Sequence, residues 1–313
     1  MRHQTLPTSS RRTSRGSAAD VTVTGVQIDN DGIELHVAED GDPAAPPLLM
    51  LHGITSFGGT WDWIVPELAE RFRVSRLDFR GHGASARVPG GYGSAQYLSD
   101  AIAVCEQVIG EPCAVIGHSL GGITALIAVQ QRPDLFRAAV VEDPPMFVVP
   151  RAGEPVAEGH VLLDAFTVMR RSLPSLQAFG MAAEAVAGFL AQVPTSSGET
   201  MGETIEADGL LSIAGSLLAV DPTVLDPVVG RALDPLLDAE EGIATPTLVV
   251  TADPAVPGAI CDPDAARELA AKSSAMEVVT IAGAGHLIHD EIASRARFRA
   301  LTVEFLSRMG VPT

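Results

Sequence analysis

The sequence of 313 residues predicts an α/β protein whose mainly parallel central sheet is flanked by helices and interrupted by a helical cap insertion. Short apolar runs alternate with helical patterns along most of the chain. That rhythm breaks over about 146–240, where helical apolar spacing continues without a convincing strand. In between, Gly117-His118-Ser119-Leu120-Gly121-Gly122 links an apolar run to a second one through a tight turn, as a strand-to-helix junction does.

In chain order, residues 1–20 read as a disordered tail. Arg11-Arg12-Thr13-Ser14-Arg15 resembles a twin-arginine signal, but the apolar segment that must follow is missing. Strands are expected near 22–28, 33–38, 47–51 and 73–77, then a helix near 95–109. The strand at 113–117 and its helix follow, then a strand at 138–141. After the insertion come a strand at 247–252, a helix at 263–272, a strand at 276–281 and a terminal helix near 291–308. The core is therefore 21–145 with 241–313, and 146–240 is the cap.

The turn at Ser119 carries chemistry. A serine on so sharp a bend projects its hydroxyl away from both flanking elements, and the helix start behind it offers unpaired backbone N–H groups. A serine hydroxyl attacks only after a base takes its proton. Among eight histidines, His286 stands at the end of a strand, on the glycine turn Ala282-Gly283-Ala284-Gly285. His286 is the candidate base, and His289 suits solvent contact or pocket lining.

A carboxylate must orient that imidazole. Asp253 ends an apolar strand ahead of Pro254 and gives the chain order Ser, Asp, His. Glu142 and Asp143, which end the strand before the insertion, are its rivals. Asp143 also suits a turn former before Pro144-Pro145, and Glu142 is the alternative acid. Asp262 and Asp264 read as helix caps. The backbone N–H groups of Leu120 and Ile54 are the expected oxyanion donors, Ile54 because it follows the strand ending at His52-Gly53. His52, Gly53 and His118 are expected to line the substrate site.

With Asp78-Phe79-Arg80-Gly81-His82-Gly83-Ala84-Ser85 as a further signpost, the chain resembles the α/β-hydrolase-fold serine hydrolases over about 22–310. The resemblance gives Asp78 and His82 a scaffold role. Many members carry a G-x-x-D turn where this chain has the shorter Thr251-Ala252-Asp253-Pro254. Segments around Val140–Pro145 and Thr251–Ile260 look similar to actinobacterial carboxylesterases, among them monoalkyl phthalate ester hydrolases. The resemblance implies a cofactor-free serine carboxylic-ester hydrolase with no metal. A lactonase, a C–C bond hydrolase and a non-catalytic ligand receptor are the alternatives; Ser119 argues against the members that use an aspartate nucleophile. The cap, with Phe166, Phe179 and Phe189, is expected to supply an apolar pocket. Arg151, His160, Arg170 and Arg171 are its candidate cations for an anionic substrate.

Composition agrees with a cytoplasmic enzyme acting on a small molecule. Acidic residues outnumber basic ones 39 to 21, a net charge of −18 that disfavours nucleic acid. Hydrophobic residues make up 46% of the chain, yet no uninterrupted apolar stretch could span a bilayer. Three cysteines without a CxxC pair support neither a disulfide framework nor a zinc site.

Overall fold

The strands of this computed structural model form one eight-stranded sheet in the order β1-β2-β4-β3-β5-β6-β7-β8. The structure describes residues 24–146, 161–195, 197–230 and 236–309. β1 (Thr24–Asn30) and β2 (Ile33–Asp40) form a hairpin, and β2 also runs antiparallel to β4 (Arg73–Leu77). Asp31 and Gly32 both take positive φ at its tip, as a two-residue hairpin turn requires. The remaining pairs are all parallel and join β4 to β3 (Pro47–Leu51), β5 (Cys113–His118), β6 (Phe136–Glu142), β7 (Thr247–Thr251) and β8 (Met276–Thr280).

The central strands are apolar at nearly every position because both faces of the sheet are covered. Alternate side chains serve opposite cores: Leu49, Leu51, Val115, Val141 and Val249 on one face, Leu48, Met50, Ile116, Val140 and Val250 on the other. The first core packs against α2 (Ser94–Val104) and α3 (Leu120–Gln131). The second packs against α1 (Val65–Leu68) and α10 (Arg295–Arg308). α9 (Pro263–Lys272) precedes β8, with Asp262 capping its first turn as expected. The helix expected over 95–109 is α-helical only to Val104; Cys105–Ile109 is a π turn that Gly110 ends at φ 74°.

Between β6 and β7 the described chain forms α4 (Val161–Ala178), α5 (Ala183–Leu190), α6 (Met201–Thr204), α7 (Ala207–Ala219) and α8 (Asp226–Val229). Leu173, Leu217, Val224 and Leu225 join the α2–α3 core. Tyr92 donates to Asp221 at 2.7 Å, and the Glu206 amide donates to the Asp290 carbonyl at 2.8 Å. These bonds fasten the insertion to loops at the strand ends. Phe166 packs partly against the core, whereas Phe179 and Phe189 are 77% and 67% exposed. No single described helix is long and apolar enough to cross a membrane.

Arg80 and Asp100 pin the loop after β4 to α2. The Asp100 carboxylate is fully buried and accepts the Arg80 guanidinium at 2.6 Å, the Arg80 amide at 3.2 Å and Asn30 Nδ2 at 2.9 Å. Removing one partner of such a pair strands a buried charge. Asp100→Asn should therefore lower the unfolding free energy by about 3–5 kcal/mol, measured by urea denaturation of the full chain; a loss within error would show that the pair does not hold this loop.

Candidate active site

Ser119 sits between the end of β5 and the start of α3 at φ 51°, ψ −113°, a conformation that side chains other than glycine rarely take. Two neighbouring backbones make the bend possible. A Cβ on Gly117 would lie 2.3 Å from the Gly121 carbonyl oxygen, and one on Gly121 would lie 2.3 Å from that of Leu51. Only glycine allows the helix to approach the strands so closely. Three bonds then hold the turn: the Ser119 amide to the Glu142 carbonyl at 2.9 Å, the Gly121 amide to that of His52 at 3.0 Å, and the Ile123 amide to that of Ser119 at 2.9 Å. α3 behind it is buried along most of its length. The nucleophile candidate thus rests on a rigid platform.

His286 follows β8 and the Gly283 turn. Its Nδ1–H donates to Asp143 Oδ2 at 2.7 Å, which leaves Nε2 free to accept a proton. Asp143 is fully buried and accepts three further bonds, from the Ala252 and Ile260 amides at 3.0 Å and the Cys261 amide at 3.2 Å. His118, next to Ser119, stacks 4.7 Å from His286, and its Nε2–H donates to the His286 carbonyl at 3.0 Å. The chain segments of Ser119 and His286 therefore meet.

Neither expected acid reaches His286. The Asp253 carboxylate accepts the Gly283 amide at 2.8 Å and the Ala255 amide at 2.9 Å, bonds that hold its pKa below the ordinary value. It braces the turn before His286 rather than the ring itself. Glu142 is fully buried against His289, accepting its amide at 2.9 Å and its Nδ1 at 2.8 Å. The residue the sequence offered as a turn former, Asp143, touches the imidazole. It does occupy a turn, with φ 39°, and that left-handed bend accompanies the carboxylate's contacts across the end of β7. Its place at a strand end was the available signal; nothing local separated it from Asp253.

His52 and His118 are also corrected as substrate contacts. Both are buried, His52 with Nδ1 on the Gly53 carbonyl at 2.8 Å and Nε2 accepting the Phe79 amide at 3.0 Å. Burial is the main cause holding the pKa of each below the ordinary histidine value. These rings buttress the site. Gly53 packs on it: a Cβ there would lie 2.8 Å from His118 Nδ1 and 3.3 Å from Ser119 Cβ. Ile54 comes next, and the amides of Leu120 and Ile54 have no hydrogen-bond acceptor among the described residues. Thr55 takes φ 61°. Of the four described residues other than glycine with positive φ, Thr55, Ser119 and Asp143 lie here, a concentration of strain typical of functional sites.

Asp78 is part of the scaffold, accepting the Gly58 amide at 2.7 Å, the Ala84 amide at 3.0 Å and His36 Nδ1 at 3.1 Å. His82 is buried in the same loop, and burial pushes its pKa down to about 3. Arg170 pairs with Asp226 at 2.5 Å, Arg171 is exposed, and Arg151 and His160 lie outside the described residues. His118, Glu142 and His289 bring potential metal-ligand atoms within 4.8 Å of one another. They fit an ion poorly, because Glu142 and His289 bond directly to each other and His118 donates to a carbonyl.

The sequence profile of the Alpha/beta hydrolase family matches residues 48–301. A 2-(acetamidomethylene)succinate hydrolase of Mesorhizobium japonicum is 32% identical over 117 residues, 37% of this chain and 41% of that protein, so this alignment spans well under half of the relative. The magnesium-chelatase 30 kDa subunit of Rhodobacter capsulatus is 29% identical over 273 residues, 83% of this chain and 87% of that one. In fold, the enol-lactonase of Burkholderia xenovorans LB400 superposes with a TM-score of 0.67 at 22% identity, covering 90% of this chain and 99% of its own. The sheet order, the Ser119 elbow and the matched span agree: the chain belongs to the Alpha/beta hydrolase family.

Proposed function

We propose that the chain is a serine carboxylic-ester hydrolase acting through Ser119, His286 and Asp143. The observation that carries this reading is the 2.7 Å bond from His286 Nδ1–H to Asp143, which leaves Nε2 to accept a proton, on a loop that His118, the residue before Ser119, holds at 3.0 Å. Ser119 Oγ attacks the ester carbonyl while His286 Nε2 takes its proton. The negative oxygen of the tetrahedral intermediate is held by the Leu120 and Ile54 amides. Collapse expels the alcohol, which receives the proton from His286, and leaves an acyl-serine. Water, deprotonated by the same ring, releases the acid and restores the hydroxyl. Asp143 fixes the tautomer and stabilises the imidazolium formed in each half-reaction.

The helical insertion is proposed as the cap that selects the substrate. A small monoester carrying a free carboxylate, such as a monoalkyl phthalate, is the finer reading. It rests on the resemblance of the strand-end segments to carboxylesterases and on the exposed Arg171 of α4.

Hydrolysis of a p-nitrophenyl acyl ester tests the reaction. Ser119→Ala and His286→Ala should each remove nearly all turnover, and the double variant should be scarcely worse than either, because the two act as one unit. Asp143→Asn should lower kcat by about 10⁴-fold, the scale set by an amide that favours the wrong tautomer. Asp253→Asn should keep kcat within about tenfold of the parent, since it loses only bonds that brace a turn. A larger loss in Asp253→Asn than in Asp143→Asn would return the acid to the end of β7.

Substrate charge has its own test. A monoalkyl phthalate should be hydrolysed with higher kcat/KM than the matching dialkyl ester, and Arg171→Gln should remove that preference. Equal rates on both would leave a general esterase.

A further inference from the structure

Glu142 and His289 take no part in those proton transfers, yet they touch each loop that carries them. The Glu142 carbonyl accepts the Ser119 amide at 2.9 Å, and its carboxylate accepts the amide and Nδ1–H of His289. The next residue, Asp143, accepts His286 Nδ1. Two consecutive carboxylates at the end of β6 thus hold two histidines three positions apart. His289 Nε2–H reaches Thr60 Oγ1 at 2.9 Å, in the 3₁₀ turn Gly58–Trp61 that follows the Ile54 loop. His118 stands between the two rings, 4.7 Å from that of His286 and 4.8 Å from that of His289.

We infer that Glu142 and His289 are positioning residues, a buried charged clamp that holds His286 and the Ile54 loop in register and so sets kcat without touching substrate. This inference rests on the ester-hydrolase reading. The physical case lies in direction. Burying two charges is expensive, and an apolar pair of similar volume would stabilise the fold as well or better. An ion pair with three further hydrogen bonds fixes orientation, which matters because a displacement of about 1 Å can cost a site ~10²-fold in rate.

The charged and titratable groups facing His289 are Glu142 on β6, Asp290 beside it at 3.5 Å, Arg295 on α10, which donates to the His289 carbonyl at 2.7 Å, and His118 at the end of β5. Burial disfavours a charged ring, but the Glu142 and Asp290 carboxylates outweigh it and raise the His289 pKa to about 9. The folded pKa of His289 lies above the ordinary value of 6.5, so its charge is fully present below 6.5 and is lost as pH rises through about 9, while burial raises the pKa of Glu142, whose charge is the one lost toward acid pH.

The test uses the full chain and the double variant Glu142→Gln/His289→Gln, which removes both charges together. Melting temperature, kcat and KM for a p-nitrophenyl acyl ester are followed from pH 5.5 to 10.5, with the low-field proton NMR line of His286 Nδ1–H. The expected result is a folded variant with KM near the parent's and kcat lower by about 10²-fold. The parent's fall in kcat near pH 9 should vanish in the variant, and the low-field line should broaden. A folded variant with the parent's kcat, alkaline limb and line would overturn the clamp. If the parent hydrolyses no ester, the ester reading fails, and the NMR line then decides the clamp alone, an unchanged line overturning it. Thr60→Val, confined to one hydrogen bond, serves if the double variant does not fold: a lower kcat with a broadened line supports the clamp, and parental values of both overturn it.

Discussion

The Asp143 carboxylate ties together chain ends that the sheet alone would leave independent. It leaves the end of β6, crosses the end of β7 to accept the Ala252, Ile260 and Cys261 amides, and holds His286, which belongs to the loop after β8. A fully buried carboxylate is tolerated only with such a set of donors. The same four bonds that satisfy its charge therefore fix the loop after β7 and aim the imidazole. Asp143 adopts a left-handed backbone to do so, and Ser119 and Thr55 share that strain within one site.

That arrangement needs a base that does not yield. The central strands are apolar on both faces, and α3 lies buried against them, so the turn at Ser119 has no freedom to relax. Gly117 and Gly121 permit backbone-to-backbone approaches that no side chain could share. The interior of the sheet thus supplies rigidity, while its C-terminal edge carries the candidate site residues, the division expected where parallel strands end beside loops.

The insertion follows different physics. It exposes large apolar side chains, Phe179, Phe189 and Val168 among them, and reaches the core through a few residues such as Leu173 and Leu217. It is fastened by directed polar contacts, Asp221 to Tyr92 in the loop after β4 and Glu206 to Asp290 in the loop that carries His286. The core holds the candidate site residues still, and under the proposed function the insertion is the element whose variation would change what reaches them.

Much of this was legible from local pattern. The strand runs and the Ser119 turn depend on residues close in sequence: apolar period, glycines where backbones meet, a helix start with unpaired amides. The pairing of His286 with Asp143 is of another kind. Asp143 and Asp253 both end apolar strands, both precede proline, and both lie between Ser119 and His286 in the chain. Only the folded sheet distinguishes them, because β6 and β7 are neighbours and the loop after β8 folds back over both. There Asp253 meets the Gly283 amide, while Asp143 meets the ring. Glu142 and His289 are separated by 147 positions, and no spacing rule connects them. The sequence by itself determined the fold and the elbow, which arise from short-range sterics and burial; tertiary structure decided which carboxylate faces which histidine, because that depends on where long-range packing directs each strand end.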